Sequence, residues 1–114
     1  MEAGERERLD RSAIHRVDAK DITRLPERLE RFRAKRISLH VDLDVLDPAY
    51  GRANAYAVAP GISPEELVAA VRAVTRKHEL AALTLSAYDP SCDEDGRVRD
   101  AAKAVLRAAA LTEA

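Results

Sequence analysis

The stretch Ile37-Ser38-Leu39-His40-Val41-Asp42-Leu43-Asp44-Val45-Leu46-Asp47-Pro48 constrains the chain more than any other part of it. Ile37, Leu39 and Val41 alternate with Ser38, His40 and Asp42, the two-residue period of a strand. That strand runs directly into three acids and a proline. If the extension holds for two further residues, Asp42 and Asp44 emerge on the same side at the strand's carboxyl end. At about 6 Å and an effective dielectric of ~20, two such carboxylates repel by about 2–3 kcal/mol. A fold accommodates the pair by placing a cation between them, by keeping one carboxyl protonated, or by splaying both into water.

The rest of the chain supplies a setting for that strand. Glu2 to Arg11 reads as a short helix and Ala13 to Val17 as a short strand. Asp21-Ile22-Thr23 precedes a helix expected from about Leu25 to Ala34, with Pro26 in its first turn and Leu25, Leu29 and Phe32 as its buried stripe. Asp47-Pro48 ends the central strand, because the residue before proline is restricted and proline has no N–H to donate. Ala49 to Ile62 is then a long irregular loop, of a length that in compact domains often carries function. Ser63-Pro64-Glu65-Glu66 is a helix start, with an N-cap serine, proline at the first position and glutamate at the third. Leu67, Val68, Val71 and Val74 carry its apolar face to about His78. Leu80 to Tyr88 reads as a buried strand closed by Asp89-Pro90. A final helix from Val98 to Leu111 is expected to turn Ala102, Val105, Leu106 and Ala109 inward. Strands alternating with helices imply parallel βαβ units and an α/β, three-layer αβα fold with a mainly parallel sheet covered on both faces. Sites in such sheets lie at the carboxyl ends of strands, where Asp42, Asp44 and Asp89 all fall.

A length of 114 residues corresponds to one domain, residues 1–114, or a piece of one. Aromatic residues are only 4%, with Phe32 the sole phenylalanine, so packing rests on Leu, Val, Ile and close Ala contacts. Charged residues reach 34% yet balance to a net charge of −1, which leaves no electrostatic footprint for nucleic acid or an anionic membrane. The Arg- and Glu-rich opening, including Arg6 to Arg11, reads as a solvated or interface helix face. A single cysteine, Cys92, cannot form an internal disulfide, so the expected compartment is a reducing cytoplasm. No run approaches membrane-spanning length, and the charged N-terminus does not resemble a signal peptide.

The run from Leu39 to Pro48 resembles the Asp-x-Asp-x-x-Asp-Pro signature of the ureohydrolases, the family of arginase, agmatinase and formimidoylglutamase. The likeness extends to the Pro60-Gly61-Ile62 turn leading into the helix after Ser63, to the strand Ala82 to Tyr88 with Asp89-Pro90, and to the strand and helix between Arg16 and Asp42. It covers nearly the whole chain, as the C-terminal portion of a longer, partial arginase-like fold. The resemblance implies a two-manganese site in which Asp42 and Asp44 are metal ligands, and hard carboxylate oxygens suit Mn²⁺. It implies a bridging hydroxide that attacks the amidine carbon of a small guanidino or amidino substrate, arginine- or agmatine-like, and releases urea or an analogous product. His40 and Asp47 would support the ligands from behind, Asp47 by accepting backbone N–H bonds that shape the loop. The family's Gly-Gly-Asp-His turn and Asp-Ala-His-x-Asp strand end do not occur in this sequence. The position of a guanidinium-binding glutamate falls at Ala87, and that of a substrate-contacting threonine closest to Tyr56. The resemblance therefore implies an enzyme portion that is a fragment of a longer gene product, or that works as a homo-oligomer or with a complementing N-terminal chain. The alternative is a non-catalytic remnant serving as a metal-binding or assembly module.

The plainer readings of these residues stand beside the chemical ones. Asp42 and Asp44 could be strand-end acids that cap loop N–H groups. His40 could be a neutral histidine buried under a helix, His15 strand packing, and His78 a helix C-terminal residue facing the dipole. Cys92 has no base at a recognisable spacing and reads as loop packing. Asp93-Glu94-Asp95-Gly96 lacks the complete calcium-loop pattern and reads as a solvated turn. Asp89 reads as a cap before Pro90. Val41-Asp42-Leu43-Asp44-Val45 also fits the phosphoaspartate motif of haloacid dehalogenases. The lysine that chemistry needs is not suitably placed, since Lys77 and Lys103 both lie mid-helix.

Overall fold

The computed structural model describes residues 3–12 and 14–110. Its elements are α1 (Ala3–Arg11), α2 (Leu25–Leu29), β1 (Arg36–Asp42), α3 (Pro64–Lys77), β2 (Glu79–Ser86) and α4 (Arg97–Ala110), with short 3₁₀ turns between them. β1 and β2 pair in parallel, from Arg36 opposite Glu79 to Asp42 opposite Ser86, with one irregularity of register between Ile37 and Ser38. A parallel pair needs a crossover, which the loop after β1 and α3 provide.

The start of α3 forms as its sequence dictates. Ser63 Oγ accepts from the Glu66 N–H at 3.1 Å, Glu66 Oε1 accepts from the Ser63 N–H at 2.9 Å, and Pro64 occupies the first turn. The helix stops at His78, which turns extended at φ −126° and is buried rather than exposed to the helix end. His78 Nδ1 lies 2.6 Å from the Ala34 carbonyl, so it ties the end of α3 to the segment entering β1.

Helices α3 and α4 pack on each other and both touch β2. Leu67 and Val71 of α3 and Val98, Ala101, Val105 and Ala108 of α4 close over Leu39, Val41, Leu83 and Leu85 of the sheet. Leu46, Val98 and Val105 are fully buried there. The stripe of α4 is rotated by about one residue from the expected one: Val98, Ala101, Val105 and Ala108 face inward, while Leu106 is exposed. The cause is the start of the helix. Asp93 Oδ1 accepts from the Val98 N–H at 3.1 Å and Oδ2 from the Arg99 N–H at 3.0 Å, which fixes Val98 against the core.

Three further expectations are corrected. Residues 14–18 form no strand, and Ala13 lies outside the described residues. Ile14 is exposed and His15 meets the Phe32 ring edge-on at 4.8 Å. An extended segment persists as a strand only where its backbone finds a ladder to join, and none runs beside it among the described residues. The second helix ends at Leu29 instead of Ala34. Arg31 and Phe32 donate to Arg28 and Leu29, the tight i→i−3 bonds of an unwinding last turn, and Phe32 leaves the core. Finally, β2 is half-buried, not wholly buried. The α/β class with a parallel sheet holds. The described residues supply the sheet and a helical layer on one face, whereas Ser38, His40, Asp42 and Thr84 on the other face are exposed.

Asp93 is also the buried acid of the turn read as solvated, and Tyr88 OH donates to its Oδ2 at 2.8 Å. Burial pushes the Asp93 carboxyl up, but the N–H groups of Val98 and Arg99, the Tyr88 hydroxyl and the Arg99 charge outweigh it, and the net shift is downward. A depressed carboxyl contributes stability that is full above its unfolded value, near ~3.9, and lost as pH falls through the folded one. Asp93→Ala is expected to cost about 2 kcal/mol at pH 7, since it removes a helix cap and strands three donors. Urea unfolding should show that gap narrowing towards pH 3. An equal gap at both pH values would rule out the charged cap as its source.

Candidate metal centre

β1 delivers Asp42 to its carboxyl end, and a 3₁₀ turn, Leu43–Val45, follows at once. Leu43 and Leu46 sink into the core on either side of this turn, which leaves Asp44 at the surface end of the sheet, half-buried. Asp42 Oδ1 accepts from the Asp44 N–H at 3.1 Å and so caps the turn. The Asp44 carboxyl is hydrogen-bonded to that of Asp42, which raises its proton affinity above the usual carboxylate range. Burial and the Asp42 charge push the same way, and a hydrogen bond from Asn54 opposes them. The pair thus stands together at the strand end, with Asp44 the acid that holds its proton more firmly than usual.

Asp47 closes the loop that follows. Its Oδ1 accepts from the Ala49 N–H at 2.9 Å and its Oδ2 from the Gly61 N–H at 3.1 Å, so it staples the loop's beginning to its end. Asp47 N–H donates to the Ile62 carbonyl and Ile62 N–H to the Val45 carbonyl, both at 3.0 Å. His40 shares the exposed face with Asp42, but its Nε2 lies 2.7 Å from Ser86 Oγ, across the strand pair. It is neither buried nor packed under a helix, because that face of the sheet carries no helix among the described residues.

At the end of β2, Ala87 takes φ +66°, a conformation that costs a non-glycine residue about 1–2 kcal/mol. Its carbonyl accepts from Asn54 Nδ2 at 2.8 Å, and the same Nδ2 lies 3.5 Å from Asp44 Oδ2. Asn54 is the site residue that the sequence did not reveal. It sits in Ala53-Asn54-Ala55 without a motif, and only its loop position between two strand ends hinted at a role. Tyr56 is 85% exposed, and it meets this cluster only through its backbone N–H, which donates to Asn54 Oδ1 at 2.8 Å. Asp89 caps the turn after β2, accepting from the Ser91 hydroxyl at 2.7 Å and the Ser91 N–H at 3.0 Å, which lowers its pKa. Cys92 is half-buried, with Sγ 3.7 Å from Asp89 Oδ2.

The sequence pattern of the arginases matches residues 1–112, almost the entire length. The chain belongs to the Arginase family. Solved structures of that family share its fold. An arginase from Bacillus subtilis superposes with a TM-score of 0.83 at 22% identity, covering 95% of this chain and 41% of its own. Formimidoylglutamase from Bacillus subtilis gives 0.80 at 21% identity, covering 98% and 38%. Proclavaminate amidinohydrolase from Streptomyces clavuligerus gives 0.74 at 20% identity, covering 84% and 35%. The chain thus spans about two fifths of the length of the Arginase-family structures it resembles. No curated protein matches its sequence significantly. No helix among the described residues is long and apolar enough to cross a membrane.

The donors of this arginase-family chain fit a hard divalent cation in kind. Two carboxylates stand together at a strand end, and paired anionic oxygens suit a hard divalent ion. They do not complete a coordination sphere, since among the described residues no cluster of three or more His, Cys, Asp or Glu side chains is placed to hold an ion.

Proposed function

We propose that this chain contributes part of the metal site of a ureohydrolase, a manganese-dependent hydrolase acting on a C–N bond of a linear guanidino or amidino compound. The observation that carries this reading is the convergence of Asp42 and Asp44 at the end of β1, in a chain of the Arginase family. In this reading Asp42 and Asp44 hold manganese. Bound manganese would supply Lewis-acid charge and a more acidic water. Asp42 orients the turn that carries Asp44, and Asp47 fixes the loop beside them. Ala87 brings no negative charge to the end of β2, so a cationic substrate has to find its counter-charge elsewhere.

Further ligands would come from segments beyond this sequence, from another chain or from another copy, so the proposal includes an oligomer or a complementing partner, with no part for nucleic acid or membrane. The unpaired Cys92 is in keeping with a reducing cytoplasm. The second reading, a non-catalytic family member that serves as a metal-binding or assembly module, is favoured by the two-carboxylate donor set.

Manganese titration of the purified chain by calorimetry, beside the Asp42→Asn/Asp44→Asn double variant, tests the metal site. Micromolar binding that vanishes in the double variant is expected. Urea-release assays with arginine and agmatine then separate the two readings: manganese-dependent turnover supports the enzyme, and binding without turnover supports the module. Equal binding by both proteins would dismiss the carboxylate pair as a site.

A further inference from the structure

We propose that Asn54 is the positioning residue of the carboxylate pair, its side-chain amide holding Asp44 beside Asp42 while locking the loop to the end of β2. The proposal deepens the metal-site reading above and rests on it.

The orientation of the amide is fixed by its two neighbours. Asn54 Oδ1 accepts from the Tyr56 N–H at 2.8 Å, and a backbone N–H can only donate. Nδ2 lies 2.8 Å from the Ala87 carbonyl, which can only accept. The amide therefore cannot flip without losing both bonds. The nitrogen left on this side also faces Asp44 Oδ2, at 3.5 Å. One side chain thus joins the loop, the end of β2 and the acid that follows β1.

Its own backbone is held just as firmly. Ala53 is 1% exposed, and its carbonyl accepts from the Asp89 N–H at 2.7 Å. Apart from the Asp42 carboxyl beside it, the Asp44 carboxyl has little else to restrain it, because the other anchors of its three-residue turn, Leu43 and Leu46, fix the backbone and not the carboxyl. A donor on one carboxylate oxygen leaves the other to be aimed, which is how a supporting residue orients a ligand.

The test compares the wild type with Asn54→Ser. The serine hydroxyl can still accept from the Tyr56 N–H, as in a local turn, but cannot reach Ala87 and Asp44. Asn54→Thr is run beside it, so that a folding failure of one leaves the other. Manganese affinity is read by calorimetry, and cobalt, added in place of manganese, reports ligand geometry through its visible absorption. Folding is followed by circular dichroism. A loss of manganese affinity of about 10–100-fold with a changed cobalt spectrum, in a folded variant, is the expected result. Wild-type affinity and spectrum in the folded variants would overturn the role of Asn54 and leave the metal site standing. Failure of the wild type to bind, or equal binding by Asp42→Asn/Asp44→Asn, would overturn the metal site and this proposal with it.

Discussion

Gly61→Ala is expected to destabilise the chain by about 3 kcal/mol, one of the largest effects available to a single added methyl group. A Cβ at residue 61 would stand 2.5 Å from the Asp47 nitrogen, 2.7 Å from its Cα and 2.7 Å from the Val45 carbonyl oxygen. All three are backbone atoms, so no side chain can swing aside. The two segments would have to part. Parting them stretches the Asp47-to-Ile62 and Ile62-to-Val45 hydrogen bonds and the bond from Gly61 to Asp47 Oδ2. It also lifts Leu46 and Ile62, which are 1% and 3% exposed, out of the core. Gly4→Ala is the control, since nothing lies within 4 Å of a Cβ there and the site is in α1. Alanine in a helix is favoured over glycine by about 0.5–1 kcal/mol, so that variant should be neutral or slightly more stable. Urea unfolding of both variants decides the matter, and a Gly61→Ala midpoint equal to wild type would mean the loop closes less tightly than the contacts require. Because Asp44 lies three residues before Asp47, the same variant should also weaken any metal bound at the carboxylate pair.

The parts of the fold that were legible in the sequence are those whose determinants are local. The capping box of Ser63 and Glu66 with Pro64 set the start of α3, and the alternation from Ile37 to Asp42 set β1. What the sequence hid depends on distant partners. Ala13 to Val17 has strand composition, yet the described part of that run has no neighbour to pair with. The phase of α4 was misread because Ala102, Val105, Leu106 and Ala109 also make a helical stripe. Asp93, four residues before the helix and beyond the N-cap position, selects the other phase by holding Val98 and Arg99. Within the site, Asp42, Asp44 and Asp47 announce themselves by spacing. Asn54 does not, because its importance comes from an 87-to-54 contact across 33 positions that no local pattern encodes.

Asp42→Asn is expected to move stability and metal affinity in opposite directions. The asparagine Oδ1 can keep the hydrogen bond from the Asp44 N–H, so the turn after β1 survives. The charge beside Asp44 does not. Asp44 is raised above its unfolded value by the hydrogen bond to Asp42, by burial and by the Asp42 charge. A raised group contributes stability that is full below the unfolded pKa, near ~3.9, and lost as pH rises through the folded value. At neutral pH the metal-free wild type therefore bears the repulsion of two carboxylates. Relieving it in a half-exposed, screened position should stabilise the metal-free chain by about 0.5–1 kcal/mol at pH 7, well under the unscreened Coulomb figure. At pH 3, where Asp44 holds its proton, the gain should disappear. Manganese affinity should fall by more than the ~10–100-fold typical of a merely supporting residue, since a ligand itself is lost. In the wild type that affinity should rise with pH through the raised Asp44 value, because the ion competes with the proton on Asp44. Urea unfolding at pH 3 and pH 7, with calorimetry at two pH values, reads all of this. A variant that is less stable than wild type at pH 7 and binds manganese equally well would show the pair to be a turn-capping device and nothing more. Gained stability with lost affinity is the signature of charges kept together for an ion, against the interest of the fold that carries them.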